Sequence, residues 1–189
     1  MSSFTNFIKD YPTRCYQILK AYRVAQLAGR EVTLMLAMAS TGMIMVYERL
    51  ANPKNPSDDK VRYRKAKAAF DMLCKQPFCG SMLWDADAVS WSFGPLASTA
   101  GEADDWPELQ QDNPIPPGKE VSEVLYHLRN AMAHGSVFTK SERQISKIIF
   151  LSRKSKNSPD FNYLSVSPTD FRRFLIKWFE FTGSLDLSL

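Results

Sequence analysis

The chain has 189 residues, 44% of them hydrophobic and 12% aromatic, which excludes a disordered chain and provides for a sizeable core. Its 24 basic and 20 acidic residues leave a formal charge of +4, a mild bias that suits a polyanionic partner without requiring one. Three cysteines, Cys15, Cys74 and Cys79, are an odd set that argues against a secreted disulfide scaffold and reads as plain thiols.

Taken in order, Met1 to Asp10 lacks the basic start and small-residue cleavage site of a signal peptide, so a cytoplasmic protein is expected. Phe4 to Asp10 reads as a short helical turn that Tyr11-Pro12 breaks. Thr13 to Leu27 then reads as a helix with Ile18, Leu19, Tyr22 and Ala25 on one side, ended at Gly29. Glu31 to Leu50 is a long apolar helix. Its uncharged run, Val32 to Tyr47, is shorter than the roughly 20 residues of a membrane span, so a buried bundle helix and no membrane association are expected. Ala37, Ala39, Ser40 and Gly42 let a neighbouring helix come close. The linker NPKNPS (52–57) follows, with Ser57 or Asp58 as cap for a helix over Asp59 to Leu73. Arg62, Arg64, Lys65 and Lys67 on that helix read first as a solvated face, with an electrostatic landing strip for nucleic-acid phosphate as the alternative.

Residues 75–118 carry Trp84, Trp91 and Trp106 among prolines and glycines, and read as a long packed insertion with one short helix. Glu102, Asp104, Asp105, Glu108 and Asp112 make it acidic. Their spacing matches no metal-binding loop, and neither metal nor cofactor is expected. Val121 to Gly135 then places Val121, Val124, Leu125, Leu128, Ala131 and Met132 on one helical stripe. Glu123, His127, Asn130 and His134 recur on a second, polar stripe, and Gly135 reads as the stop. Gln144 to Leu151 and Phe161 to Val166 read as a β-hairpin around the basic turn 153–158. Ser167 caps a final helix with Pro168 first and an aromatic stripe of Phe171, Phe174, Leu175, Trp178 and Phe179.

The segment LRNAMAHG (128–135) resembles the RNxxxH signature of the HEPN superfamily, and the hairpin after it resembles the compact plasmid-type group. The resemblance implies a mainly α fold: a HEPN-like helical bundle with a small β-hairpin before the C-terminal helix, one domain over residues 1–189. It implies a metal-independent endoribonuclease that acts as a homodimer on RNA, in a toxin or phage-defence role, with an antitoxin or nucleotidyltransferase as further partner. Ser136 stands where some members carry a tyrosine that such a nucleotidyltransferase modifies. The implied catalytic residues are Arg129, Asn130 and His134. Histidine suits proton transfer near neutral pH, and the arginine fork suits phosphate. His127 and Glu123 are secondary candidates: His127 as a further liner of the groove or a bystander, Glu123 as the group that orients it or an ordinary residue of a surface helix.

Helical geometry sets a condition. Five positions separate Arg129 from His134 by roughly 140° on an ideal helix. Either the helix loosens before Gly135, or two copies of the motif meet across a two-fold axis. Away from the family, the same residues read as a salt-bridging arginine and a histidine favoured by the helix C-terminus. A non-catalytic module that binds RNA or nucleotide, and a purely structural dimerisation protein, are the alternatives.

Overall fold

The computed structural model describes residues 6–22, 29–87, 90–99, 102–111, 113–141, 144–154 and 158–188. It is mainly helical with one antiparallel sheet. The helices are α1 (Phe7–Ala21), α2 (Glu31–Met38), α3 (Ile44–Ala51), α4 (Asp59–Arg62), α5 (Arg64–Cys74), α6 (Val121–Ala133) and α7 (Pro168–Ser184). The strands are β1 (Ser92–Leu96), β2 (Val137–Ser141), β3 (Ile145–Arg153) and β4 (Phe161–Val166), ordered β1-β4-β3-β2.

The expected hairpin is the β3–β4 pair, in register from Ile148 opposite Val166 to Arg153 opposite Phe161. It forms the middle of a wider sheet. β1, from the stretch read as an insertion, pairs with β4, and β2 pairs with β3 directly after the motif helix. Instead of the short helix expected in residues 75–118, the described residues form β1 and two single 3₁₀ turns, Ala103–Asp105 and Pro107–Leu109. These turns cover the sheet face that α6 and α7 leave open. Ile148, Phe150, Leu164 and Val166 point into the helical core, while Ile149, Leu151 and Tyr163 pack on Leu96, Trp106 and Leu109. A strand buried on both faces needs no polar alternation, hence the unbroken IIFL of β3.

Two helices depart from expectation. α1 runs through Pro12 rather than starting after it. One backbone bond is lost there, but Pro12 is buried and α1 packs along α7, so tertiary contact outweighs the break. Phe4, Ala25 and Leu27 lie outside the described residues. The helix read over 59–73 is interrupted at Tyr63 (φ −108°, ψ 62°), whose ring is buried and whose hydroxyl donates to Asn6 Oδ1 at 2.5 Å. Neither Ser57 nor Asp58 caps it through a side chain.

Glu31–Ala51 is one helical run with a π-helical segment at Ala39–Met43, and by length and composition it is long and apolar enough to cross a membrane. Val32, Met35, Ala39, Met43, Val46 and Leu50 from this run lie in the core. Gly42 sits in the π segment where a Cβ would come within 2.8 Å of Phe179 and 2.9 Å of Cys15, so only glycine admits that approach. Cys15 is buried, Cys74 and Cys79 are half-buried, and all three are free thiols. Burial pushes Cys15 up to about 11 and Cys74 to about 12, which keeps both protonated.

Candidate functional site

α6 is built to bury one face and end abruptly. Val121, Val124, Leu125, Leu128 and Ala131 are buried, and α6 packs on β3, α5, β4 and the π segment. Its start is closed by a capping box, in which Glu123 Oε2 accepts the Glu120 backbone N–H at 3.0 Å. Its end is a Schellman turn. His134 leaves helical geometry (φ −101°, ψ 3°) and Gly135 takes φ +67°. Ser136 N–H reaches back to the Ala131 carbonyl at 2.8 Å, and Gly135 N–H to that of Met132 at 3.4 Å.

That turn meets the geometric condition set by the sequence within one chain. Arg129, Asn130 and His134 line a single cleft of about 670 Å³, with Tyr126, Ser136, Leu151, Ser152, Arg153 and Phe161. α6 forms one side. The end of β3 and the start of β4 form the other. His134 is exposed at this cleft.

Arg129 is not a loose cation. Its Nε donates to Glu48 Oε1 at 2.5 Å and its Nη1 donates to Asn130 Oδ1 at 2.8 Å. Glu48 Oε2 in turn accepts from Asn52 Nδ2 at 2.6 Å. Burial pushes the Glu48 carboxyl up, but the hydrogen bonds from Asn52 and Arg129 more than offset it and hold it below the usual carboxylate range. A carboxylate, a guanidinium and a carboxamide are therefore locked in one chain that ends at the cleft.

His127 and Glu123 do something else. His127 turns away from the cleft and is buried, with Nδ1 against the hydroxyl of Ser152 and its ring 5.0 Å from that of Phe93. Burial, helped by the charge of Lys119, pushes its pKa down to about 4, so the ring is neutral at pH 7. Glu123 does not orient it. One Glu123 oxygen takes the Glu120 backbone and the other takes Lys119 Nζ at 2.9 Å. The polar stripe read as one face is thus divided between two neighbouring clefts, Glu123 and His127 lining one and Asn130 and His134 the other.

Glu48, which holds Arg129 from beside the cleft, and the cleft residues Arg153 and Phe161 were missed from the sequence. Glu48 carried one signal, being the first charge after the uncharged run 32–47. Arg153 and Phe161 are opposite each other in the hairpin register, so the basic turn hinted at the first, while nothing local marked the second. Among the described residues, no group of three or more metal-binding side chains comes together.

The family model described as HEPN pEK499 p136 matches residues 1–184. No curated protein and no solved structure matches the chain. Over nearly its whole length, then, the chain belongs to the HEPN pEK499 p136 family.

Proposed function

We propose that the chain is a metal-independent endoribonuclease that acts as a homodimer in the cytoplasm, in a toxin or phage-defence role. The observation that carries this reading is the convergence of Arg129, Asn130 and His134 on one open cleft. In the proposed reaction the ribose 2′-oxygen attacks phosphorus and the P–O5′ bond breaks, leaving a 2′,3′-cyclic phosphate and a 5′-hydroxyl. A base removes the 2′ proton and an acid returns a proton to O5′. Arg129 and Asn130 steady the charge that builds on the phosphate oxygens.

The proton count favours two copies. His134 is exposed at the cleft, whereas His127 is neutral, buried and bound to Ser152. With one imidazole per cleft, base and acid are both supplied when two α6 ends face each other. Such pairing suits a family in which dimers are common, and two-fold dimers are the commonest oligomers.

The test is incubation of purified protein with mixed RNA in the presence of EDTA, comparing wild type with His134→Ala and Arg129→Ala. Products ending in 2′,3′-cyclic phosphate from the wild type alone are expected. Cleavage that survives either change would refute the assignment. Saturable RNA binding without product over long incubation would instead identify a non-catalytic HEPN module.

A further inference from the structure

The two arginines of the cleft differ in what already holds them. Arg129 meets a carboxylate at 2.5 Å, so an incoming anion sees a largely compensated pair. Arg153 is exposed at the end of β3 and, among the described residues, has no carboxylate partner. Its Nη1 donates to the Ser158 carbonyl at 3.1 Å, and its guanidinium stands 5.4 Å from the centre of the Phe161 ring. Both contacts fix the direction of the group, and neither cancels its charge. Across the cleft stands Tyr126, 47% exposed. The cleft thus holds an aimed, uncompensated cation and an accessible aromatic ring, neither belonging to the RNxxxH segment.

We infer that Arg153, braced by Phe161, is a phosphate-binding residue, and that its ligand is a single-stranded segment of nucleic acid. One backbone phosphate lies on the Arg153 fork, and a neighbouring base lies against Tyr126. The planar fork gives two donors to a phosphate, and an aromatic side chain offers a stacking face to any base. Duplex bases are already stacked on one another and present no free face to such a ring. The cleft volume of about 670 Å³ falls inside the roughly 300–1,000 Å³ usual for ligand clefts, which suits a nucleotide or two rather than a helix lying across it. The inference rests on the nuclease reading for the choice of RNA as natural ligand, but the binding chemistry stands without any cleavage.

The experiment uses the full chain and a fluorescent single-stranded oligonucleotide of 2′-deoxy sugars, which has no 2′-hydroxyl to attack. Binding is measured over a salt series, with the matching duplex as a second probe and the ribose version assayed in parallel for cleavage. Arg153→Gln is expected to weaken single-strand binding about tenfold and to lower the slope of log K against log salt by about 0.7. Arg153→Lys keeps the slope and loses affinity, because it retains charge without the fork. Tyr126→Leu weakens binding at least about fivefold with the slope unchanged. No binding by the wild type, an Arg153→Gln variant that binds like it, or a duplex held as tightly as the single strand would each overturn the inference. Arg153-dependent binding with no cleavage of the ribose probe would sink the nuclease reading and leave this one standing. Cleavage without Arg153-dependent binding would do the reverse.

Discussion

The two halves of α6 put the same side chain to opposite uses. His127, in the first half, is 7% exposed at the wall of a neighbouring cleft with Phe93 and Lys119, its Nδ1 against the Ser152 hydroxyl. His134, at the last turn, is released from helical geometry by Gly135 and stands in an open cleft beside Arg129 and Asn130. Spacing alone puts both on one polar stripe. What separates them is what stands opposite: His127 meets Ser152 and Phe93, whereas His134 lines the open cleft. Proton exchange with a substrate needs access to it, and the exposed His134 has far more of that than the 7% exposed His127.

The largest expected effect tests the open half. His134→Ala should lower RNA cleavage at least about 100-fold, the lower end of what a positioned acid or base contributes. His127→Phe, which keeps a ring in the buried pocket, should leave cleavage within a few-fold at neutral pH, read as initial rates on one RNA. Equal losses in the two variants would erase the functional distinction between the two halves.

The next effect belongs to the buried half and is read as stability. The folded pKa of His127, about 4, lies below its ordinary 6.5. The unfolded chain therefore binds the proton first as pH falls. Stability from this group is full above pH 6.5 and drains away between 6.5 and about 4. Between pH 7 and pH 5 the loss is about 2 kcal/mol, at 1.36 kcal/mol for each unit of separation. Unfolding free energies from urea titrations at the two pH values should differ by that much for the wild type and by clearly less for His127→Phe.

How much of this was written in the sequence depends on how local each cause is. The stripe of α6, its Gly135 stop, the Ser167 cap of α7 and the β3–β4 pair were legible, because helical period, caps and runs of β-branched and aromatic residues act within a few residues. The passage of α1 through Pro12 was not, since it depends on packing against α7 across the chain. Nor was the break at Tyr63, which follows from a hydroxyl reaching Asn6. The strands β1 and β2 carry few β-branched residues, and their partners supply the reason they are strands. In the cleft, the motif named Arg129, Asn130 and His134. Glu48 and Arg153 arrive from opposite sides of the fold, so no spacing could announce them. The same limit explains His127, whose period was right and whose packing against Ser152 of β3 no local pattern announced.

A smaller effect tests how the helix end is made. Gly135 holds φ +67° with nothing within 4 Å of where a Cβ would stand, so any penalty there comes from backbone strain and not from crowding. Gly135→Ala should destabilise the fold by about 1–2 kcal/mol, and Gly135→Asn by less, since asparagine tolerates the left-handed region. Thermal unfolding gives the ranking. Cleavage should fall in the same order, because the turn is what swings His134 toward Arg129. A pair of variants that lose stability while keeping full cleavage would show that His134 does not depend on that turn for its direction.

The smallest effect lies at the carboxylate that holds Arg129 from beside the cleft. Glu48→Gln keeps an acceptor for Arg129 Nε but removes the negative charge and one of the two acceptor oxygens now used. The pair is partly exposed, 31% for Arg129 and 20% for Glu48, so the stability loss should stay near or below about 1 kcal/mol. Affinity for single-stranded oligonucleotide should rise, because Arg129 then presents an uncompensated charge, and its salt dependence should steepen. A Gln variant that binds more weakly than the wild type would mean that the carboxylate serves chiefly to aim the guanidinium, with its charge-cancelling role secondary.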